Sequence, residues 1–294
     1  MISDWRVHAA ESELAKLVAE LRPGELDVWL DAATPRLPET VRVNPCRPDV
    51  EWTQALLEQM GATSIEWFNQ KGGAYTMPWE KARCEDDAFM ENLRALHTSG
   101  RITRQEAASM MPVQALDVQP GHRVLDLCAA PGSKTTQIAE ALNGLGLVVA
   151  NEPNPGRANN LVSNVQRSGH LNIVVVREDG RNFPRVAEPG FDRILVDAPC
   201  SNSGVFRRRA DAKWRLMPNY TNELINLQLE LLSAVIPLMK KGGKLVYSTC
   251  SIDAEENTGV ISKIIETHTH LKKLDEVQLI PNDLTDGAYA ALLG

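Results

Sequence analysis

Two cysteines of this sequence stand where a nucleophile could act. Cys200 lies in the segment DAPCS and Cys250 in the segment STCS, and each segment directly follows a short apolar run. A thiolate forms covalent intermediates readily, but a thiol with an ordinary pKa near ~8.5 is only slightly ionised at neutral pH and must be activated. A free cysteine is more often a buried apolar filler. The matching positions of these two favour the nucleophile interpretation.

A turn rich in small residues could border a cofactor. The segment VLDLCAAPGSKT (Val124–Thr135) begins as an apolar run and breaks into Pro131, Gly132, Ser133 and Lys134. This pattern is typical of a buried parallel strand that stops at a tight turn before a helix. It matches neither the P-loop nor the G-x-G-x-x-G pattern. Because ligands of open α/β sheets lie at the carboxyl ends of strands, we predict a cofactor site here, with a purely structural turn as the alternative.

Acidic residues follow the next three predicted strands. They are Glu152, Asp179 and Asp197. A carboxylate after the second strand is the usual partner of ribose hydroxyls, whereas an isolated exposed acid is usually solvated surface. Their regular placement favours a row of acids along one edge of a sheet. Since none of these strand ends carries a second phosphate-binding turn, a nucleoside-like cofactor without a pyrophosphate fits better than a dinucleotide.

Strands and helices alternate from residue 122 onwards, and this alternation predicts the framework for the candidate residues. It is typical of βαβ units and of a mainly parallel, doubly wound sheet. The predicted strands are Arg123–Cys128, Leu147–Asn151, Ile173–Arg177, Arg193–Val196, Lys244–Ser248 and, at the tail, Ala288–Leu293. The predicted helices cover residues 133–142, 155–168, 220–240 and 254–267.

A smaller mixed α/β unit is predicted ahead of this framework. Its predicted elements are an amphipathic helix over residues 2–21, a strand at Thr40–Asn44, a helix at Glu51–Met60 and a strand at Ser64–Asn69. Residues 71–96 carry no assigned motif. Residues 97–117 predict a turn at Ser99–Gly100, a short strand and a helix from about Gln105, which leads into the cofactor turn.

The composition is that of a globular protein in a reducing compartment. The 294 residues are 43% hydrophobic and 23% charged. No apolar run reaches the ~18 residues of a membrane span, and the start has no signal-peptide pattern. The five cysteines are far apart and form no C-x-x-C pair, which argues against a disulfide framework and a zinc site. We therefore expect a cytoplasmic protein that contacts no membrane and binds no metal.

The distribution of charge leaves room for a polyanionic partner. The net charge is −7, but residues 1–110 carry −6 of it, and residues 201–250 hold eight basic and three acidic residues. The basic segment Phe206–Trp214, FRRRADAKW, combines cations with aromatic side chains. A charged run is usually a solvated loop, but basic and aromatic residues together suit the phosphates and stacked bases of RNA. We expect this segment to contact such a substrate.

Six segments of the chain fall in the order of a known family and cover nearly all of residues 100–290. They are GRITRQEAASMMPVQAL (100–116), DLCAAPGSKTTQ (126–137), ANEPNPGR (150–157), EDGR (178–181), DAPCSNSGVFRR (197–208) and LVYSTCSIDAEEN (245–257). Together they resemble the Sun (Fmu) family of S-adenosylmethionine-dependent RNA cytosine-5 methyltransferases. The segment VRVNP (41–45) resembles a short strand in the N-terminal RNA-binding part of that family. Similar proteins act on small-subunit ribosomal RNA or on transfer RNA.

The resemblance implies an α/β fold of the Rossmann-like class I methyltransferase type. It assigns residues 111–294 to a catalytic domain with a doubly wound, mainly parallel sheet, and residues 1–110 to a small N-terminal α+β domain of the RNA-binding kind. It also implies S-adenosyl-L-methionine as the cofactor and ribosomal or transfer RNA as the partner. We expect the chain to act as a monomer.

The resemblance also implies a role for each candidate residue. Cys250 would be the nucleophile that adds to C6 of the cytosine, and Cys200 would assist release of the product. This chain differs from many relatives directly after Pro-Cys-Ser. It has Asn202-Ser203-Gly204 where they have Gly-[DE]-Gly or Gly-x-Gly. The implied cofactor residues are Cys128, Ala129, Ala130, Pro131, Gly132, Ser133 and Lys134 around the methionine end, Glu152 at the ribose hydroxyls, Arg157 as a further contact, Asp179 by the adenine, and Asp197 between the cofactor and the target base.

Two other functions stay open from the sequence. In DNA cytosine-5 methyltransferases the cysteine of the Pro-Cys motif, here Cys200, is the nucleophile, whereas the Thr249-Cys250 pair favours RNA. A non-catalytic RNA-binding assembly factor could keep the cofactor fold. The presence of both cysteines and of all three acids argues against that second alternative.

Overall fold

The computed structural model describes residues 13–21, 23, 24, 26, 27, 36–81, 83–205, 207 and 218–294. In this part of the chain the strands form one sheet of four and one sheet of seven. Two predictions fall largely outside it. Of the helix over residues 2–21 only α1, Glu13–Leu21, is described, and of the basic segment and its neighbour Arg215 only Arg207 is described.

The small sheet follows α1 and is antiparallel. Its strands are β1 (Pro38–Val43), β2 (Thr63–Ser64), β3 (Ala74–Glu80) and β4 (Ile102–Arg104), in the order β2-β3-β1-β4. The helices that pack on it are α2 (Val50–Gln59) and α3 (Asp87–Thr98). Val41, Leu57 and Leu93 are among the side chains buried between strands and helices. This is the small N-terminal α+β unit that the sequence predicts.

The large sheet is doubly wound and mainly parallel, as predicted. Its strands are β5 (Arg123–Asp126), β6 (Leu147–Asn151), β7 (Ile173–Val176), β8 (Phe191–Asp197), β9 (Met239–Thr249), β10 (Lys273–Leu279) and β11 (Ala288–Leu293). They lie in the order β10-β11-β9-β8-β5-β6-β7. The run from β9 to β7 is parallel, whereas β11 and β10 add an antiparallel edge.

Helices cover both faces of the large sheet. They are α4 (Ala107–Leu116), α5 (Ser133–Ala141), α6 (Pro155–Ser168), α7 (Pro218–Val235) and α8 (Val260–Thr267). Side chains of α4 and α5 pack on one face and those of α7 and α8 on the other. A strand buried on both faces has a continuous apolar run, which is why β5, β6 and β8 are recognised from the sequence. The predicted domain boundary between residues 110 and 111 falls inside α4 and stays a prediction.

The structure corrects several element boundaries. The predicted helix over residues 220–240 ends at Val235, and β9 begins at Met239 rather than at Lys244. The predicted strand at Ser64–Asn69 is wrong, because only Thr63–Ser64 pairs with β3 before the chain turns. The strands β3 and β10 were not predicted. Proline interrupts β3 (AYTMPWE) and polar residues dominate β10 (KLDEVQL), so neither shows the apolar pattern of a strand.

A buried arginine joins the small sheet to the large one. Arg42 of β1 is 1% exposed. Its Nε donates to Oε2 of Glu140 on α5 at 2.6 Å, and its Nη2 donates to Oγ1 of Thr136 at 3.0 Å. Asn44 Nδ2 donates to the Ser168 carbonyl at the end of α6 at 3.0 Å. Since α5 begins at the predicted cofactor turn, the small sheet holds that turn in place.

Removing the Arg42 charge should destabilise the protein strongly. We expect Arg42→Met to lower the free energy of unfolding by about 3–5 kcal/mol, because it leaves the Glu140 carboxylate buried without its main partner. The double variant Arg42→Met/Glu140→Met removes both charges and should recover most of the loss. Urea unfolding of the three proteins measures the difference. Equal losses in the single and the double variant would contradict the pairing.

Candidate active site

The candidate residues lie where the connections of the large sheet diverge. From β5 the chain continues to β6 and β7 on one side, whereas β8, the other neighbour of β5, continues to β9 on the opposite side. Such a switch point opens a crevice at the carboxyl ends of the strands. Cys128 follows β5, Asp197 ends β8 and Cys250 follows β9, and all three line one cavity at this crevice.

The pairing of β8 with β9 brings the two cysteine segments together. Asp197 lies opposite Ser248 in the parallel register, so the segments that leave the two strands run side by side. The Sγ atoms of Cys200 and Cys250 are 3.3 Å apart. Cys200 is buried, with 6% of its surface exposed, whereas Cys250 is partly exposed. The two predicted thiols are therefore in direct contact.

This contact keeps Cys200 in its thiol form. The hydrogen bond with Cys250, together with burial, raises the pKa of Cys200 well above its usual range. Cys250 Sγ also donates to Oδ1 of Asn202 at 3.2 Å, and Asn202 Nδ2 donates to the Cys200 carbonyl at 2.9 Å. Asn202 has a φ of +62°, a left-handed conformation that asparagine adopts more readily than most residues. Asn202 thus links the two segments and orients the Cys250 thiol.

Asp197 is held beside the cysteines by an ion pair and a hydrogen bond. Lys134 Nζ donates to Oδ2 at 2.8 Å, and Ser248 Oγ donates to Oδ1 at 2.7 Å. Burial alone would lower the pKa of Lys134, but the neighbouring Asp197 carboxylate outweighs it and the pKa is raised. Lys134 therefore stays charged. Because both Asp197 oxygens are engaged, the carboxylate has a fixed orientation toward any ligand at the crevice.

A buried carboxylate supports the segment of Cys200. Glu256 lies in a π-helical turn, Glu255–Gly259, and is fully buried. Its carboxylate accepts hydrogen bonds from Ser201 N at 2.9 Å, from Ser201 Oγ at 2.5 Å and from Gln228 Nε2 at 3.1 Å. A satisfied buried network of this kind rigidifies its surroundings. Glu256 thereby ties the segment after Cys250 to the segment of Cys200.

Two cavities meet at the cysteines. A cavity of about 680 Å³, the strand-end cavity, lies over the carboxyl ends of the strands and includes Cys128, Glu152 and Asp179. A cavity of about 300 Å³, the cysteine cavity, includes Ser109 of α4 and Lys134. The residues that line both are Asp197, Ala198, Asn202 and Cys250. Two ligands placed in the two cavities would therefore meet at this shared wall.

Most of the predicted cofactor residues line the strand-end cavity. They are Cys128, Ala130, Pro131, Glu152, Arg157, Asp179 and Asp197. Ala129, Gly132 and Ser133 line neither cavity, and Lys134 lines the cysteine cavity instead. The structure thus divides the predicted turn. Its first half faces the strand-end cavity, whereas its last residue reaches Asp197 on the other side.

The strand-end cavity presents fixed carboxylates at two neighbouring strand ends. Glu152 accepts a hydrogen bond from the Asn154 N–H at 2.9 Å and lies 3.4 Å from Arg157 Nε. Asp179 accepts a hydrogen bond from Arg181 Nη2 at 2.6 Å, and its hydrogen bonds with this side chain lower the pKa of Asp179. Carboxylates in such positions suit the hydroxyls and amine hydrogens of a nucleoside. The residues present therefore fit the nucleoside part of a cofactor.

Close packing and a buried carboxyl group hold the turn between β5 and α5 in place. Gly132 precedes α5 with a φ of +108°, and a Cβ there would lie 3.0 Å from Leu161 Cδ1. Thr135 Oγ1 donates to Oδ2 of Asp126 at 2.7 Å. Burial raises the pKa of Asp126 to about 7. A larger residue at position 132 would therefore be strained at this φ, and the Leu161 side chain would have to shift to make room for it.

The comparison with protein families decides which family this site belongs to. The family model described as 16S rRNA methyltransferase RsmB/F matches residues 113–291. The chain belongs to this family. The match confirms the resemblance to the Sun family that the six sequence segments indicate.

Curated relatives of this RsmB/F-family chain are longer than the chain itself. The ribosomal RNA small subunit methyltransferases F of Escherichia coli O157:H7 (strain EC4115 / EHEC) and of Escherichia coli (strain SMS-3-5 / SECEC) are each 38% identical to it over 271 residues. The matched region is 90% of the chain and 54% of each relative. The chain therefore spans about half the length of the curated relatives it matches.

Solved structures share the fold of this RsmB/F-family chain. A methyltransferase homolog protein from Pyrococcus horikoshii is 26% identical, with a TM-score of 0.81 over 98% of this chain and 96% of that chain. NSun6 from Pyrococcus horikoshii with SFG is 18% identical, with a TM-score of 0.79 over 96% of this chain and 97% of that chain. The first likeness confirms the Rossmann-like methyltransferase fold, and the second, at its lower identity, shows the fold alone.

Three residues of the RsmB/F-family site were not predicted as site residues. They are Asn202, Ser248 and Glu256. Each lies in a segment that carries the family resemblance, and Asn202 is the departure from the usual glycine after Pro-Cys-Ser. The sequence segments were therefore a signal for them. Asn202, Ser248 and Glu256 form hydrogen bonds with residues 48 to 55 positions away in the chain. These partners are brought together by the pairing of β8 with β9, so local sequence spacing could not predict them.

None of the helices that the structure describes is long and apolar enough to cross a membrane. Among those same residues, no cluster of three or more His, Cys, Asp or Glu side chains could hold a metal ion.

Proposed function

We propose that this chain is an RNA methyltransferase that transfers a methyl group from S-adenosyl-L-methionine to C5 of a cytosine in ribosomal RNA. The observation that carries the proposal is the contact of the Cys200 and Cys250 thiols, 3.3 Å apart, at the junction of two cavities. The name of the curated relatives favours small-subunit ribosomal RNA, and transfer RNA is the second candidate.

The strand-end cavity would hold the cofactor. Glu152 suits the ribose hydroxyls and Asp179 suits the adenine, while Cys128, Ala130 and Pro131 of the turn line the same cavity. S-adenosyl-L-methionine supplies a sulfonium methyl group when it is bound. Gly132 and Ser133 begin α5 and fix the turn rather than line the cavity. Lys134 acts by holding Asp197 at the wall between the two cavities.

The cysteine cavity would hold the target cytosine. C5 of cytosine is too weak a nucleophile to take a methyl group directly. Loss of the Cys250 thiol proton to solvent would give the thiolate, and its addition to C6 would form a carbon–sulfur bond and place enamine electron density on C5. C5 would then take the methyl group, which leaves the cofactor sulfur as a neutral thioether. Asp197 would bind the edge of the base and stabilise the intermediate. Holding both reactants in line supplies a large part of the rate, up to ~7–11 kcal/mol in well-oriented cases.

Cys200 would assist the release of the methylated base. A base removes the proton from C5, its electron pair restores the C5–C6 double bond, and the C6–sulfur bond breaks with Cys250 leaving as a thiolate. The raised pKa of Cys200 keeps its thiol protonated. That thiol, 3.3 Å from the departing sulfur, can donate a hydrogen bond to the leaving thiolate. The two cysteines would therefore have different tasks.

The RNA itself must deliver an extruded base. Unstacking a paired base costs free energy, so loops and unpaired segments are favoured as targets. We propose that residues 1–110 and the basic segment 206–214 contact the RNA around the target. We also propose that the chain acts as a monomer in the cytoplasm, where its five free cysteines would stay reduced.

Methylation of defined RNA tests the proposal. The purified chain is incubated with S-adenosyl-L-methionine and with unmodified transcripts of small-subunit ribosomal RNA or transfer RNA, and bisulfite sequencing locates 5-methylcytosine. We expect protected cytosines in the ribosomal transcript and none without the protein. Protection in transfer RNA alone would change the substrate. Cofactor binding without any methylated RNA would favour the non-catalytic assembly factor. In a parallel reaction with DNA of the same sequence, methylated cytosine would favour the DNA enzyme.

We expect Glu256→Gln to lower kcat about tenfold in a protein that stays folded. A carboxamide has one acceptor oxygen where the carboxylate has two, so one of the two Ser201 donors loses its partner and the Cys200 segment shifts. Steady-state kinetics measure kcat, and cofactor affinity should not change. Glu255→Gln alters the exposed neighbouring acid and is the matched control. A wild-type kcat in Glu256→Gln would contradict the positioning role.

A further inference from the structure

A third cavity lies between the small sheet and the edge of the large one. Its volume is about 580 Å³, and we call it the hairpin cavity because the β2–β3 hairpin forms one of its walls. Ile65 and Trp67 line it from the small sheet, Met111 from α4, and Val277 and Leu279 from β10. None of the roles assigned above to the strand-end and cysteine cavities uses this space.

The hairpin cavity and the cysteine cavity share a wall. Ala107 lines the hairpin cavity, whereas its neighbours Glu106 and Ala108 line the cysteine cavity. The Glu106 carboxylate accepts hydrogen bonds from the Ala108 N–H at 3.1 Å and from the Asp286 N–H at 3.3 Å. The first turn of α4 and the segment before β11 are thus tied together. They form a thin partition between the two cavities.

The lining suits a flat ligand with apolar faces and a polar edge. Trp67 is 48% exposed and Leu284 is 63% exposed at this cavity, which is unusual for such large apolar side chains. Ser64, Thr76 and Asn282 add polar side chains to the same lining. Neither lysine nor arginine occurs among the described lining residues. A phosphate is therefore a poor occupant, and a nucleobase is a good one.

We infer that the hairpin cavity is a subsite for an unpaired nucleobase that neighbours the target cytosine in the same RNA strand. The base would stack on Trp67, and the polar side chains of Ser64 and Asn282 would meet its polar edge. The inference rests on the proposed function, since it takes RNA as the substrate. This subsite would give the N-terminal unit a part in choosing the target, because Trp67 lies in the β2–β3 hairpin of that unit. The reacting cysteines lie in the large sheet's unit.

Binding of short RNA to matched variants tests the subsite. The probe is a single-stranded oligoribonucleotide with a central cytidine, compared with versions that carry one abasic position beside it. We expect Trp67→Leu to weaken binding of the intact probe about tenfold, which corresponds to about 1.4 kcal/mol. One of the abasic probes should bind the wild-type protein about as weakly as the intact probe binds Trp67→Leu. The same abasic probe should bind Trp67→Leu no more weakly than the intact probe does. Fluorescence anisotropy measures each affinity.

Two further variants guard against trivial explanations. Leu171→Ala changes another exposed apolar side chain, 100% exposed, outside the cavity and outside residues 1–110, and should bind as the wild type does. Ser64→Ala removes an exposed hydroxyl of the cavity lining and should weaken binding of the intact probe. Wild-type affinity in Trp67→Leu would overturn the subsite and leave a polypeptide segment as the better occupant. Losses of affinity that add up when the variant and the abasic position are combined would overturn it as well.

The outcomes separate this inference from the proposed function. Affinity is measured without methyl transfer. If Trp67→Leu and one abasic position together weaken binding no more than either does alone, the subsite is supported even if no RNA is methylated. Methylation of RNA by a protein that lacks this coupling would leave the proposed function intact and remove the subsite. In methylating reactions Trp67→Leu should raise KM for RNA and keep kcat at saturating RNA, because Trp67 does not line the cysteine cavity.

Discussion

Cys250→Ser is expected to lower the rate of methyl transfer at least about a thousandfold while the cofactor still binds. A serine hydroxyl is almost entirely un-ionised at neutral pH and adds poorly to C6, so C5 of the base is not activated. The substitution is nearly isosteric, and the contacts of the Cys250 side chain are those of its sulfur with Cys200 and Asn202. The fold should therefore be kept. Transfer of a labelled methyl group to RNA measures the rate.

The control for this variant is another free cysteine. Cys84 lines neither the strand-end cavity nor the cysteine cavity, and its thiol donates to the Asp86 carbonyl at 3.4 Å. Cys84→Ser should transfer methyl groups at the wild-type rate. Equilibrium binding of labelled cofactor to both variants shows whether the strand-end cavity is intact. Wild-type activity in Cys250→Ser would remove Cys250 from the role of nucleophile.

Cys200→Ala is expected to accumulate a covalent complex between the protein and its RNA. The Cys250 thiol stays in place, so addition to C6 and methylation can proceed. Release is slowed because the departing sulfur loses the protonated thiol that lies 3.3 Å away. The complex should resist denaturing electrophoresis and contain both the protein and labelled RNA. It should form only when the cofactor and a substrate RNA are present, and multiple turnover should nearly stop.

The double variant Cys200→Ala/Cys250→Ala decides which thiol forms the bond. It should give no complex with RNA under conditions in which Cys200→Ala alone gives one. A complex formed by Cys250→Ala and missing from Cys200→Ala would assign the nucleophile to Cys200, as in the DNA enzymes. A Cys200→Ala protein that turns over normally, with no trapped complex, would remove Cys200 from the release step.

The sequence by itself determined the large sheet and the edge of it that carries the site. β5, β6 and β8 each contain consecutive apolar residues because helices cover both of their faces, so these strands are visible without a structure. Parallel strands present their carboxyl ends at one edge. Turn, acid and cysteine residues that follow several strands must therefore lie near one another. The six sequence segments also identified the family, which the family comparison confirms.

Two strands were beyond the reach of the sequence pattern. β10 has one neighbour and an exposed, polar composition, and β3 contains Pro78, so neither shows the apolar run or the alternation of a buried strand. The hairpin cavity depends on both elements. Its lining comes from residues more than 200 positions apart, Trp67 and Leu279 among them, and so it could not be found by spacing.

Only the tertiary structure decided how the site residues are divided among tasks. The register of β8 on β9 placed Cys200 against Cys250. The hydrogen bond between them, together with burial, raises the pKa of Cys200. The path of α5 turned Lys134 toward Asp197, although the sequence grouped it with the cofactor turn. These distinctions arise because hydrogen bonds and burial depend on atoms brought together from distant positions, whereas residue type and local spacing determine only which side chains reach the same edge.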